Sequence, residues 1–119
     1  MARVLIVDDA KFMRLTLTKM LESGNHSVVG EAENGYRAIE LYRELKPDVV
    51  TMDITMPEMT GMEAVTRILD EFPDAKIIIC SALGQQKLVV EAIEAGAKDF
   101  IVKPFDEASV LDAINRIMQ

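Results

Sequence analysis

Short apolar segments rich in β-branched residues alternate five times along the chain with longer stretches of helical periodicity. The short segments are Val4–Val7, Val28–Val29, Val49–Met52, Ile77–Cys80 and Phe100–Val102. Continuous apolar runs of this kind are typical of strands that are buried on both faces of a parallel sheet. Their alternation with helices predicts an α/β fold, in which helices cover both faces of a five-stranded parallel sheet.

The intervening stretches repeat apolar residues at helical spacing. In the first stretch the positions i, i+4, i+7 and i+8 are Met13, Leu17, Met20 and Leu21. This spacing places them on one face of an amphipathic helix, and the four later stretches show similar patterns. Residues that commonly end helices follow the first four stretches: Gly24, Pro47, Pro73 and Gly96.

Composition limits the classes of function open to this fold. The 119 residues suit one domain, residues 1–119, because a single hydrophobic core typically holds ~100–150 residues. One cysteine excludes a disulfide framework and a cysteine-based zinc site. A net charge of −7 without a basic run argues against a nucleic-acid partner. The first apolar run ends after four residues, so we expect no signal sequence, no membrane span and a cytoplasmic location.

Polar side chains stand at the ends of the predicted strands. Asp8 and Asp9 follow the first strand, Asp53 the third, Ser81 the fourth and Lys103 the fifth. Because ligands of open α/β sheets bind at the carboxyl ends of the strands, these residues should meet at one edge of the sheet. The sequence therefore predicts a cleft that contains three carboxylates, one hydroxyl and one ammonium group.

The chemistry of this group of side chains points to a divalent cation and a phosphoryl group. Three carboxylates a few ångströms apart repel one another by ~1 kcal/mol per pair in water, and more strongly when partly buried. An all-oxygen donor set favours Mg²⁺, with Mn²⁺ as a substitute, over zinc. Mg²⁺ held by a few carboxylates completes its shell with water and phosphate oxygens. Asp53 is the candidate nucleophile, with Ser81 and Lys103 placed to contact the remaining oxygens of the phosphoryl group.

The segments around these residues resemble the receiver domain of bacterial two-component response regulators. The matching segments are Val7–Asp9, Met52–Gly61, Ser81–Ala82 and Val102–Phe105, and the resemblance covers essentially the whole chain. Two further segments, Ser81–Gln86 and Ala95–Phe100, are similar to the single-domain chemotaxis members of that family. The resemblance implies a flavodoxin-like sheet with the strand order 2-1-3-4-5.

The resemblance also implies a role for each residue at the acidic site. Asp53 would be the phospho-acceptor, and Asp9 and Asp53 would bind Mg²⁺ through their side chains. Asp8 would act through an intervening water, and the backbone carbonyl of Thr55 would complete the ligands that the protein supplies.

Three more residues match the positions that sense the phosphoryl group in this family. Ser81 would be the switch hydroxyl, and Lys103 would bind the phosphate and form a cis peptide with Pro104. Phe100 falls at the aromatic switch position, where chemotaxis members often carry tyrosine. Because phenylalanine has no hydroxyl, we expect it to switch by packing alone.

The expected partners follow from the same resemblance. A histidine kinase would donate the phosphoryl group, and a phosphatase is an optional further partner. Since no output domain follows the fifth helix, the signal is expected to pass by docking of a monomer on a target, with the flagellar motor switch as the expected one. Leu88 and Val90 fall outside the buried stripe of the fourth helix and, with Phe100, predict the docking face. The alternatives are a phosphorelay intermediate and the receiver of a longer regulator.

Two other classes of function fit the residues less well. A Mg²⁺-dependent phosphohydrolase with an aspartate nucleophile usually has a second acid two residues later, where this chain has Thr55. A nucleotide or flavin module needs a first loop that cradles phosphate, and Asp8–Asp9 would repel it. We therefore expect a signalling protein that promotes its own phosphorylation and dephosphorylation, not an enzyme.

Overall fold

Five parallel strands alternate with five helices in the computed structural model, which describes residues 1–119. The elements are β1 (Arg3–Val7), α1 (Lys11–Ser23), β2 (Ser27–Ala32), α2 (Gly35–Leu45), β3 (Val49–Asp53), α3 (Gly61–Glu71), β4 (Ile77–Ser81), α4 (Gln86–Ala95), β5 (Asp99–Val102) and α5 (Glu107–Met118). The sheet order is β2-β1-β3-β4-β5, and every neighbouring pair is parallel. The predicted fold class and strand order are both confirmed.

Strand β2 is longer than its apolar residues indicate. Its apolar pair, Val28–Val29, is only part of a strand that extends from Ser27 to Ala32. The strand lies at the edge of the sheet, and most of its residues are exposed or half-buried. A half-buried edge strand does not need a continuous apolar run, which is why the hydrophobic pattern locates only its centre.

The sheet separates two apolar clusters. Twenty-one buried residues pack between the sheet and helices α2, α3 and α4, and 12 pack between the sheet and helices α1 and α5. Neighbouring strand residues point to opposite clusters; for example, Leu5 belongs to the larger one and Ile6 to the smaller one. Both faces of the central strands are therefore buried from solvent, which explains their continuous apolar sequences. None of the helices combines the length and apolarity that a membrane span requires.

Three of the five helices begin with a side-chain cap at the carboxyl edge of the sheet. The caps are Asn34, Thr60 and Asp106, whose side chains accept backbone N–H groups of the first turn. Ala10 and Gln85, which precede α1 and α4, provide no such cap. Residues that precede helices usually satisfy the first free N–H groups. The side chain of Gln85 instead bonds to two neighbouring loops, as described below.

Thr51 in the middle of β3 carries the one buried side-chain polar atom that has no hydrogen-bond partner. It is fully buried, and its neighbours across the sheet are Ile6 and Ile78. A buried hydroxyl without a partner loses its hydration and gains nothing in return. This position therefore lowers the stability of the folded state.

Replacing Thr51 with valine should stabilise the protein by about 1 kcal/mol, because the change removes an unsatisfied hydroxyl and keeps the shape of the side chain. The free energy of unfolding in urea measures the effect. Thr66→Val is the control, since Thr66 is exposed and its hydroxyl donates to the carbonyl of Met62 at 3.0 Å. A Thr51→Val protein that is less stable than the wild type would contradict this interpretation of the core.

Candidate functional site

Three carboxylates meet where strands β1 and β3 end. Asp8 and Asp9 directly follow β1, and Asp53 is the last residue of β3. The two strands are neighbours, with Val7 opposite Met52, so their ends lie side by side. One carboxylate oxygen from each aspartate lies within 4.8 Å of the other two. Asp8 and Asp53 are buried, whereas Asp9 is exposed to solvent.

The ammonium group of Lys103 contacts two of these carboxylates. Its Nζ atom lies 2.9 Å from Oδ2 of Asp8 and 3.2 Å from Oδ1 of Asp53. Lys103 directly follows β5, and its backbone N–H donates to the carbonyl of Ser81 at 2.7 Å. The peptide bond to Pro104 is cis, as the family resemblance implies. The lysine thus reaches the acids across the width of β4.

The charges at the site do not balance. Burial, together with the nearby charges of Asp8 and Asp9, raises the pKa of Asp53 to about 6 although Lys103 opposes the rise. Burial lowers the pKa of Lys103, but its hydrogen bonds and charge interactions with Asp8 and Asp53 outweigh that effect and the net shift is upward. A single ammonium group therefore faces three carboxylates, and the site favours an additional positive charge.

Arg14 on the first turn of α1 fixes the loop that carries Asp8 and Asp9. Its Nη1 atom donates to the carbonyl oxygen of Asp8 at 2.7 Å, and its Nε atom donates to Glu31 on β2 at 2.9 Å. The carboxylate of Asp8 also accepts the backbone N–H of Ala10 at 2.9 Å. Sequence patterns do not reveal this role of Arg14, because it depends on how the edge strand β2 lies beside the loop.

Gly61 fixes the loop on the other side of the acids. A Cβ atom at this position would lie 2.1 Å from the carbonyl oxygen of Asp53, too close for any side chain. The N–H of Gly61 also donates to the carbonyl of Ile54 at 2.8 Å. The first residue of α3 thus packs directly on the backbone of the candidate nucleophile, and only glycine allows this approach.

Ser81 and Thr55 lie beside the acidic cluster. Ser81 ends β4 and is only 2% exposed, and the residue before it, Cys80, lies opposite Asp53. No hydrogen bond joins the Ser81 hydroxyl to the three aspartates. Thr55 is exposed, and its Oγ1 atom accepts a hydrogen bond from Nε2 of Gln85 at 2.9 Å. The pattern of strand ends does not reveal this contact of Gln85.

Phe100 lies on the outer side of the sheet edge. It is 45% exposed and lines an apolar pocket of about 220 Å³ with residues that include Ser81 and Val90. Leu88 is exposed, as expected, but it does not line this pocket. Residues two positions apart on a helix do not face each other, so Leu88 and Val90 point in different directions. Of the three residues predicted for docking, Val90 and Phe100 therefore share this pocket and Leu88 lies outside it.

Residues 4–115 match the family model of the response regulator receiver domain. The chain therefore belongs to the response regulator receiver domain family of two-component signalling systems. Within that family it is CheY-like, because it is 59% identical to the chemotaxis protein CheY of Thermotoga maritima, over 97% of this chain and 96% of that protein. It is also 56% identical to the chemotaxis protein CheY of Bacillus subtilis, over 98% of this chain and 97% of that protein.

A solved structure also shows the similarity of this chain to CheY. The CheX–CheY–BeF₃–Mg²⁺ complex from Borrelia burgdorferi contains a chain that superposes on this one with a TM-score of 0.94 at 38% identity, covering 98% of this chain and 89% of that one. These relatives support a part in chemotaxis signalling. CheY-like receiver domains are signalling proteins, not classical enzymes, and receiver domains bind Mg²⁺ in an acidic pocket. The Asp8, Asp9 and Asp53 carboxylates form such a pocket here, and their oxygen donors suit that ion.

The raised pKa of Asp53 predicts how the stability of the folded state depends on pH and on the presence of this carboxylate. The pKa is about 6 in the folded state and ~3.9 in an unfolded chain. The folded state therefore holds this proton more tightly, and stability falls as the pH rises from about 4 to about 6. Above that window the charged carboxylate destabilises the metal-free protein.

Asp53→Asn should therefore stabilise the metal-free protein at pH 7 by about 1–2 kcal/mol, a value reduced for screening by nearby water, and should change little at pH 4. Urea unfolding in the presence of a chelator at both pH values measures the difference. Asp70→Asn, on the exposed side of α3, is the control for loss of a negative charge. A lower stability of Asp53→Asn at pH 7 would show that the ion pair with Lys103 outweighs burial and repulsion.

Proposed function

We propose that the chain is a phosphorylation-operated chemotaxis switch that accepts a phosphoryl group on Asp53 from a histidine kinase. The observation that supports this most strongly is the cluster of Asp8, Asp9 and Asp53, with Lys103 at 2.9 Å from the first and 3.2 Å from the last. The cluster carries excess negative charge, suits a divalent cation and includes a carboxylate that can act as a nucleophile.

Four residues would hold Mg²⁺, with Mn²⁺ able to replace it. Asp9 and Asp53 would bind directly through their carboxylates, Asp8 through an intervening water, and Thr55 through its backbone carbonyl. When bound, the ion supplies positive charge that offsets the negative charge developing on the transferred phosphoryl group. The exposure of Asp9 and Thr55 leaves the site open to solvent on the side from which a donor would approach.

Asp53 would perform the transfer as a nucleophile. A carboxylate oxygen attacks the phosphorus of a phosphohistidine, so that an O–P bond forms while the P–N bond to the imidazole breaks. Lys103, which already contacts Asp53, would pair with one oxygen of the transferred group, and the Ser81 hydroxyl would donate to another. Hydrolysis of the acyl phosphate by water, with or without a phosphatase, would return the switch to its resting state.

The output would be a docking surface that includes Leu88, Val90 and Phe100. Movement of Ser81 toward the phosphoryl group would empty space in the pocket of about 220 Å³ that it lines with Phe100. The phenyl ring could then turn inward by packing, without the hydrogen bond that a tyrosine would make. We propose that the chain docks as a monomer and that the flagellar motor switch is its target. The Borrelia burgdorferi CheY, solved with CheX, BeF₃ and Mg²⁺, is a relative in complex with a protein partner.

Phosphorylation can be tested with acetyl phosphate and Mg²⁺. The wild-type protein should gain the mass of one phosphoryl group, and Asp53→Asn should gain none, because its amide is not nucleophilic. Intact-protein mass spectrometry measures the gain, and Asp70→Asn should be labelled like the wild type. Labelling that persists in Asp53→Asn would place the acceptor elsewhere.

Removal of Asp9 should weaken Mg²⁺ binding about tenfold or more, because one of two direct carboxylate ligands and its charge are lost. Calorimetric titration of Asp9→Ala with Mg²⁺ measures the affinity. Glu91→Ala removes an equal charge from the exposed surface of α4 and should bind Mg²⁺ like the wild type. Equal affinities of Asp9→Ala and Glu91→Ala would exclude Asp9 as a ligand.

A further inference from the structure

We infer that the side chain of Gln85 is a latch that holds the loops after β3 and β4 in the resting arrangement and must release when the site is phosphorylated. Gln85 would act as a positioning residue, because it bonds to residues next to the reacting groups and not to the groups themselves. The inference rests on the proposed function and adds to it the residue that opposes switching.

Both polar atoms of the Gln85 amide are used, one on each loop. Its Oε1 atom accepts the backbone N–H of Ala82, the residue after Ser81, at 2.7 Å. Its Nε2 atom donates to Oγ1 of Thr55, two residues after Asp53, at 2.9 Å. A single half-buried side chain therefore joins the loop of the candidate phospho-acceptor to the loop of the candidate switch hydroxyl.

The backbone of Gln85 connects the same two loops to helix α4. Gln85 directly precedes the helix, and its carbonyl accepts the N–H of Val89 at 3.1 Å. Its side chain does not cap the helix and is instead used entirely on the two loops. The start of α4 is thus fixed to both loops, and Val90 on the proposed docking surface lies one turn further along.

The switching that we propose moves Ser81 toward a phosphoryl group on Asp53. The Ser81 hydroxyl makes no hydrogen bond to Asp53 in this arrangement, and a shift of its backbone toward that group would carry Ala82 with it. Because Gln85 holds Ala82 against Thr55 and α4, this movement breaks a bond of the amide or displaces the start of the helix. Bonds made only in the resting arrangement favour that arrangement and oppose the docking-competent one.

Removal of the Gln85 side-chain bonds should therefore raise the affinity of the site for a phosphoryl group or a mimic of it. Both hydrogen bonds are exposed, and two bonds at the weak end of the usual net strength correspond to a factor of about five to ten between the two arrangements. When the competent arrangement is the minor one, the affinity for a ligand that selects it rises by the same factor. Beryllofluoride, the phosphate mimic in the Borrelia burgdorferi CheY complex, is a suitable probe.

The decisive comparison is between Gln85→Met and Gln119→Met. The chain has no tryptophan to report binding, so the beryllofluoride affinity with saturating Mg²⁺ is best measured from backbone amide NMR signals. We expect about five- to tenfold tighter binding by Gln85→Met and no change in Gln119→Met, which makes the same substitution at an exposed position away from the site. The unloaded Gln85→Met protein should also show α4 amide signals shifted partway toward their loaded positions. A merely structural role for Gln85 would not produce that shift.

Thr55→Val provides an independent test, since it removes only the bond from Nε2 and retains the backbone carbonyl. It should tighten binding about two- to threefold, and adding it to Gln85→Met should produce no further change because the bond is already absent. An affinity of Gln85→Met for beryllofluoride that equals or falls below that of Gln119→Met would overturn the latch, as would full additivity with Thr55→Val. A wild-type protein that binds no beryllofluoride would overturn the proposed function and, with it, the latch.

Discussion

The contacts of Lys103 with Asp8 and Asp53 hold the site together. They require β5 beside β4 and β4 beside β3, since only this order brings an ammonium group at the end of the last strand to carboxylates at the ends of two earlier ones. Without that charge, three carboxylates with oxygens within 4.8 Å of one another would repel strongly. With it, the repulsion is reduced but not removed. The remaining negative charge makes the edge of the sheet receptive to a divalent cation.

Strand β3 shows what this arrangement costs in stability. It is the central strand, with every residue buried, yet it carries an unsatisfied hydroxyl at Thr51 and a carboxylate at Asp53 whose pKa is raised to about 6. Both features oppose folding, and the two apolar clusters on either side of the sheet offset them. Functional positions commonly lower the stability of the folded state. Here the destabilising groups lie on β3, the strand that positions the candidate nucleophile.

Much of the fold could be predicted from the sequence because its physical causes are local. Apolar runs mark β1, β3 and β4, since strands covered on both faces have no polar side to interrupt them. Strand β2 could be located only at its centre, because an edge strand is half-buried and tolerates Gly30 and Glu31. The meeting of Asp8, Asp53 and Lys103 followed from topology, because parallel strands bring their carboxyl ends to one edge.

The supporting contacts could not be predicted in the same way. The bond from Arg14 to the carbonyl of Asp8, and the bridge from Gln85 to Thr55 and Ala82, depend on the shapes of loops. Neither spacing nor periodicity encodes those shapes. The pocket that Val90 shares with Phe100, and that Leu88 does not line, likewise depends on how α4 lies beside β5.

The charge state of Asp53 can be followed directly by NMR titration of its carboxyl carbon, first in a chelator and then with Mg²⁺. Burial and the repulsion of neighbouring carboxylates predict an apparent pKa of about 6 in the metal-free protein. Mg²⁺ should lower that pKa, because the ion binds the deprotonated form. A pKa at the ordinary value of ~3.9 that does not respond to Mg²⁺ would contradict a site in which unbalanced carboxylates create the affinity for metal and phosphoryl group.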